Sequence, residues 1–132
     1  MINRLLIGTV AVSMLVSLLA YAEDSPEAVY KKYTAAIESK KIDELMKYLS
    51  KQQSDMISAE TPEDRQKMIG MIAEFMPKSI SVVEQTIAPD GKSATLKLTG
   101  KGGMGSDEGV SGTVSLVKEE SGWKIEREQW SN

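Results

Sequence analysis

Apolar residues recur with two different spacings along the chain. Between residues 26 and 76 they lie three or four positions apart, as on one face of an α-helix. Between residues 81 and 130 they alternate with polar residues, which is typical of strands that bury one face. The change of period at Pro77 predicts a helical half followed by a strand half.

Three helices are predicted in the first half. The first begins at Ser25-Pro26, a favourable N-cap followed by a proline, and the third begins at Thr61 and ends before Pro77. A five-residue step in the apolar pattern places a bend at residues 39–41, before the second helix. Residues 50–60 have no clean period and are predicted to form a loop that holds at most a helical turn. The expected buried positions are Val29, Tyr33, Ala36, Ile37, Ile42, Leu45, Met46, Leu49, Met68, Ile69, Ile72, Phe75 and Met76.

Four strands are predicted in the second half, over residues 81–88, 94–99, 110–117 and 123–130. Pro89-Asp90-Gly91 is a turn between the first two, and the glycine-rich residues 101–109 form a hairpin tip. Strands joined by such short connections make an antiparallel meander. The helices must cover one face of this meander, because their apolar stripes need an apolar surface to meet. The predicted fold class is α+β.

The first 22 residues have the pattern of a signal peptide. A basic start is followed by an apolar run from Leu5, and Ala20-Tyr21-Ala22 places small residues at positions −3 and −1 of a cleavage site. The run is at the lower length limit for a membrane span and contains small polar residues, so cleavage is favoured over an uncleaved anchor. We therefore expect a single mature domain, residues 23–132, in the periplasm or outside a bacterial cell.

Composition excludes several kinds of chemistry. The 132 residues include 16 Lys and Arg, 19 Asp and Glu, no His and no Cys. Disulfides, thiolate nucleophiles and an N-terminal lipid-bearing cysteine are therefore excluded, and the commonest general base is missing. A net charge of −3 provides no broad basic surface, so nucleic acid is not an expected partner. No metal or cofactor is predicted.

Two short motifs resemble ligand sites but lack the required context. Gly100, Gly102 and Gly105 match the dinucleotide-binding fingerprint, yet a strand follows them where that fingerprint needs a helix. Asp107 and Glu108 are adjacent, whereas a calcium loop needs acids at alternating positions. Both motifs are predicted to belong to a solvated hairpin tip.

Three segments of the sequence point to a family. They are the opening Ser-Pro-Glu-Ala-Val-Tyr-Lys-Lys-Tyr from residue 25, the segment 42–49, and Ser-Gly-Trp-Lys-Ile-Glu from residue 121. Over residues 25–131 their order resembles the nuclear transport factor 2-like superfamily, and within it small uncharacterised bacterial exported domains. The resemblance implies a cystatin-like fold. Many members place a strand between the second and third helices, where this chain is polar, so we expect four strands and a shallower pocket.

The resemblance also bears on catalysis. Superfamily isomerases, dehydratases and cyclases carry a pocket carboxylate, often beside a histidine or tyrosine. In this chain the candidate bases are Glu84, Glu126 and Glu128, and strand alternation places them on the face turned away from the helices. No catalytic residue is therefore predicted.

Aromatic residues remain as the candidates for a pocket. Tyr33, Tyr48, Phe75 and Trp123 should converge between helices and sheet, with Arg127 at the rim because it shares strand parity with Trp123. Such a cleft would suit a small apolar or anionic ligand, although the same residues also suit an ordinary core. The leading hypothesis is a non-enzymatic exported binding or interaction domain of the cell envelope. The alternatives are an isomerase- or dehydratase-type enzyme with a pocket carboxylate beside a tyrosine, and a structural envelope protein that contacts the membrane through an uncleaved N-terminal helix.

The second tryptophan leads to a prediction about association. Trp130 lies seven residues after Trp123, so in a strand without a bulge the two indoles point to opposite faces. Trp130 and Val117 would then form an apolar cluster on the outer face of the sheet, among Thr95, Lys97 and Thr113. An exposed apolar cluster often marks an interface, and superfamily relatives often pair through this face. The expectation is a homodimer through the outer sheet face.

Overall fold

Four helices precede a four-stranded sheet in the computed structural model, which describes residues 23–103 and 108–131. The helices are α1 (Pro26–Glu38), α2 (Ile42–Lys47), α3 (Lys51–Ser58) and α4 (Pro62–Phe75). The strands are β1 (Ser79–Ile87), β2 (Ser93–Lys101), β3 (Gly109–Glu119) and β4 (Gly122–Ser131), and each is antiparallel to the next in the order β1-β2-β3-β4. The α+β class and the meander are confirmed. The predicted signal peptide, residues 1–22, lies outside the described residues, as does Asp107.

The long helices begin where their caps predict. The Ser25 hydroxyl oxygen accepts the Ala28 amide at 3.1 Å, and the Thr61 hydroxyl oxygen accepts the Asp64 amide at the same distance. In each case proline occupies the start of the helix. The predicted bend between α1 and α2 is confirmed at Lys40, whose φ of 54° is left-handed.

Residues 50–60 correct one prediction, because most of them form α3 and not a loop. The Ser50 hydroxyl oxygen caps the helix by accepting the Gln53 amide at 3.3 Å. At the other end the Arg65 guanidinium donates to the carbonyl oxygens of Ile57, Ser58 and Glu60 at 2.7–3.1 Å. Ile57 is the one buried residue of α3, so the segment lacks an apolar stripe. Hydrogen bonds at its two ends stabilise this helix, and the spacing of apolar residues gives no indication of them.

The core lies between the helices and one face of the sheet. Predicted alternation in β2 is confirmed, since Ala94, Leu96 and Leu98 are buried and their neighbours in the strand are exposed. Phe75 is an exception among the predicted core residues, because its side chain is 56% exposed. The buried apolar set is Val29, Tyr30, Tyr33, Ala36, Ile37, Leu45, Ile57, Ile69, Met76, Ala94, Leu96, Leu98, Val114, Leu116, Trp123 and Ile125.

β4 contains a bulge that inverts the facing of its second half. Leu116 of β3 pairs with Ile125, but the preceding Ser115 pairs with Arg127, so Glu126 is an additional residue in β4. An additional residue exchanges the two faces for everything that follows it. Glu128 therefore pairs with the buried Val114, and Arg127 is exposed opposite Ser115.

Three predictions made from strand parity are wrong for this reason. Trp130 lies on the same face as Trp123, where its ring covers Gly112; a Cβ on that glycine would come within 2.7 Å of the ring. Glu128 faces the helices, and Arg127 faces away from them. The expected apolar cluster on the outer face thus keeps Val117 but not Trp130, and the homodimer through the outer sheet face stays a prediction. Glu84 is exposed as expected, with its carboxylate 3.2 Å from the ammonium of Lys97.

The chain between α2 and α3 touches the free edge of β4. The Tyr48 carbonyl oxygen accepts the Ile125 amide at 2.7 Å, and the Ser50 amide donates to the Ile125 carbonyl oxygen at 2.8 Å. These bonds form a single parallel bridge between Leu49 and Ile125. At the bulge itself the Gln53 side-chain amide donates to the Glu126 carbonyl oxygen at 3.0 Å. The expected four-stranded sheet is confirmed, with one bridge in place of a further strand.

Candidate functional site

An apolar cavity of about 570 Å³ lies between α4 and the end of β4. Its volume is in the range of small-molecule sites. Met71 and Phe75 are 60% and 56% exposed, although side chains of this size are usually covered. The lining residues are Asp64, Lys67, Met68, Met71, Ile72, Phe75, Met76 and Trp130.

Trp130 forms the sheet-side wall of this cavity, and two contacts fix its orientation. The ring lies against Gly112, where a larger residue would displace it. The indole Nε1–H donates to the Glu128 carboxylate at 3.2 Å. An aromatic wall held in this way is formed before any ligand arrives, which reduces the entropy lost on binding.

Glu128 is the centre of a half-buried hydrogen-bond cluster behind this wall. Its carboxylate accepts the hydroxyl of Tyr30 at 2.6 Å and that of Tyr33 at 2.8 Å, in addition to the indole of Trp130. Hydrogen bonds to an ionised carboxylate are shorter and stronger than those between neutral groups. The cluster of Tyr30, Tyr33, Glu128 and Trp130, called here the Glu128 cluster, therefore joins α1 to β4 and to the cavity.

The tyrosines of the Glu128 cluster act as hydrogen-bond donors. Burial raises the pKa of Tyr30 and of Tyr33 well above the usual value, and the negative charge of Glu128 and the hydrogen bond to it raise both further. Both hydroxyls therefore keep their protons near neutral pH. Three donors already use most of the acceptor sites of the carboxylate.

The residues predicted to form a pocket are not brought into one cleft. Phe75 lines the cavity, whereas Tyr33 belongs to the Glu128 cluster. Tyr48 is half-buried and pairs through its backbone with β4. Trp123 is buried beneath the ammonium of Lys118, which lies 5.0 Å from the ring centre. Arg127 is exposed on the outer face.

Three residues of the site were missed or misplaced by sequence reasoning. Parity counted from Trp123 without a bulge places Trp130 and Glu128 on the outer face of the sheet. Tyr30 lies three residues before Tyr33 on α1, and that spacing was the available signal that the two share a face. No alternation pattern could have supplied the other two, because the bulge arises in the pairing of β4 with β3.

Within residues 23–103 and 108–131, no three acidic side chains lie close enough together to hold a metal ion. None of the helices in those ranges combines the length and the apolar character that a bilayer span requires.

No protein-family profile and no curated protein matches the sequence. Solved structures do match in fold. A SEC-C motif-containing protein from Rhodopseudomonas palustris has a TM-score of 0.61 and 17% identity, over 87% of each chain. A Thiobacillus denitrificans protein, named provisionally as a calcium/calmodulin-dependent protein kinase type II association domain, has a TM-score of 0.55 and 14% identity, over 81% of this chain and 94% of that one.

A third structure connects the fold to the resemblance found in the sequence. It is a Campylobacter jejuni protein named provisionally as an NTF2-like transpeptidase, with a TM-score of 0.50 and 20% identity, over 79% of this chain and 99% of that one. At such low identities the similarity concerns the fold and leaves activity open. The chain has the fold of the nuclear transport factor 2-like proteins.

Proposed function

We propose that the protein is an exported, non-enzymatic binding domain and that the cavity between α4 and Trp130 is its binding site. The observation that carries this proposal is the apolar cavity with a preset aromatic wall. Trp130 is held by Glu128, and Glu128 is held by Tyr30 and Tyr33. Apolar side chains left exposed around a formed cavity are the usual signature of a ligand or partner site.

The ligand class follows from the lining. Most of the lining side chains are apolar, and the charged ones are Asp64 and Lys67 on the first turns of α4. Neither forms an ion pair with another residue in the described part of the chain. A small amphiphile with an apolar body and an anionic head would place its body against Phe75 and Trp130 and its head near the Lys67 ammonium.

Export is the part of this proposal that rests on sequence. The basic start, apolar run and Ala20-Tyr21-Ala22 site support it. At the expected start of the mature chain, Glu23 forms an ion pair with Lys118 and Asp24 forms one with Lys32. A chain that began at Glu23 would keep both contacts.

Binding is tested with dodecanoate, an apolar chain with an anionic head. We expect dodecanoate to change the tryptophan fluorescence of the wild-type protein in a saturable way. Replacing Phe75 with Asp should weaken binding by roughly tenfold or more, since it places a charge in an apolar contact. Val83→Asp is the matched control, because Val83 is similarly exposed, at 60%, but lies on β1 outside the cavity. Absence of saturable binding, or an equal loss in both variants, would refute the proposal.

Proton transfer is the second candidate, favoured by the carboxylate of Glu128 beside two tyrosines. Against it, Glu128 does not line the cavity and already accepts three hydrogen bonds. A proton-abstracting enzyme would exchange the α-hydrogens of an enolisable ketone such as cyclohexanone in D₂O, and Glu128→Gln would abolish that exchange. Under the binding proposal neither protein accelerates it. Proton NMR of the ketone separates the two candidates.

A further inference from the structure

The side of α4 turned away from the core has an unusual composition. Lys67, Gly70 and Glu74 follow one another at spacings of three and four residues, so they lie on one face of the helix. Met71 lies at the border of this face and is 60% exposed. Ile69, on the opposite side, is fully buried. We call Lys67, Gly70, Met71 and Glu74 the outer face of α4.

Gly70 has no explanation within the chain. Glycine inside a helix is less favourable than alanine by about 1 kcal/mol. A Cβ at Gly70 would meet no atom within 4 Å, so internal packing does not require glycine there, and its φ is not positive. A helix position without a side chain does allow a second helix to approach closely.

The charges on the outer face of α4 are complementary to those on the same face of a second copy. Lys67 and Glu74 are two turns apart, too far to pair with each other, and neither forms an ion pair within residues 23–103 and 108–131. Consider two copies of α4 packed antiparallel about a two-fold axis that passes between Gly70 and Met71. Residues equally far from the axis then face each other, so Lys67 of each copy faces Glu74 of the other. By the same symmetry Met71 of each copy faces Gly70 of the other.

We propose that the outer face of α4 docks antiparallel onto the same face of a second copy of this chain. The contact is isologous, as closed dimers require. It contains two Lys67–Glu74 ion pairs, and each Met71 covers the glycine of the other copy. Lys67 and Met71 also line the cavity, whereas Gly70 and Glu74 do not. The dimer surface and the ligand site therefore share two residues, and variants at Gly70 and Glu74 separate them.

Charge reversal tests the pairing directly, with the association constant measured by sedimentation equilibrium of the full chain. The wild-type protein should dimerise. Lys67→Glu alone and Glu74→Lys alone each place two like-charge pairs at the axis, and each should dimerise roughly 10- to 100-fold more weakly. An equimolar mixture of the two variants should recover a heterodimer, and the double variant should recover the homodimer, because opposite charges face each other again.

Two further variants separate docking from folding and from the sheet face. Gly70→Gln should leave thermal stability equal or higher, since a side chain there meets open space, yet it should prevent dimerisation. Lys97→Glu, on the outer face of the sheet, should leave the dimer unchanged. A wild-type chain that is monomeric at millimolar concentration would overturn the proposal. So would a dimer sensitive to Lys97→Glu but not to Lys67→Glu, or a mixture that fails to recover. Dodecanoate binding by Glu74→Lys should be retained, so failure of one proposal leaves the other standing.

Discussion

Removal of the Trp130 ring tests the bulge in β4, on which the whole site depends. Complete burial of a tryptophan makes replacement by alanine cost about 3–5 kcal/mol. Trp130 is half-buried against the core, so about half of that applies. Loss of its hydrogen bond to the Glu128 carboxylate adds about 1 kcal/mol. We expect Trp130→Ala to lower the free energy of unfolding by about 2.5–3.5 kcal/mol, and Trp123→Ala, at a buried position, by about 3–5 kcal/mol.

A double-mutant cycle with Gly112 makes the test specific to the facing of Trp130. A Cβ at Gly112 would lie 2.7 Å from the ring, so Gly112→Ala should destabilise the wild-type protein by about 1–3 kcal/mol. In the Trp130→Ala background the ring is gone, and the same change should have almost no effect. The resulting coupling free energy is about 1–3 kcal/mol. Urea melts of the four proteins measure it.

Gly109 provides the matched control for this cycle. It lies on the same strand, and the nearest atom to a Cβ there is 4.0 Å away. The effects of Gly109→Ala and Trp130→Ala on the free energy of unfolding should therefore be additive. If Gly112→Ala is equally harmful with and without the indole, or if Trp130→Ala changes stability by much less than 1 kcal/mol, Trp130 does not cover Gly112 and the inner facing of Glu128 is wrong as well.

Three further predictions concern the Glu128 cluster and maturation. Glu128→Gln keeps the shape of the side chain but removes the charge to which three donors form hydrogen bonds. Chemical denaturation should therefore show that the free energy of unfolding falls by about 1.5–3 kcal/mol. An unchanged free energy of unfolding would contradict the Glu128 cluster. Because the folded-state pKa values of Tyr30 and Tyr33 are raised, the unfolded chain alone releases their protons above about pH 10, so stability should fall there by about 1.4 kcal/mol per pH unit for each tyrosine. Tyr33→Phe should make that fall shallower than in the wild type, and an unchanged slope would contradict the assignment. The intact mass of the exported protein should correspond to a chain that begins at Glu23, and a membrane-bound species that retains Met1 would contradict cleavage.

Local interactions explain what the sequence by itself determined. Ser25 and Thr61 cap helices by accepting amides three residues further along the chain, so the capping signal and its effect lie in the same few residues. Leu96 and its neighbours at alternate positions face the core because β2 itself contains no bulge, since the additional residue in its pairing with β1 is Val83 of β1. Fold class, strand order and most of the helix faces follow from such short-range patterns.

Only the tertiary structure decided the site. The alternation of faces along β4 is regular until Glu126, which has no opposite residue in β3. This additional residue arises from the way the two strands pair, and the order of residues in either strand does not specify it. It moves Glu128 and Trp130 to the helix side and Arg127 to the outer side. Phe75 follows the apolar stripe of α4 but remains 56% exposed, because no described part of the chain covers the cavity there. A hydrophobic pattern records which residues favour burial, whereas the packing of strands and helices determines which of them are covered.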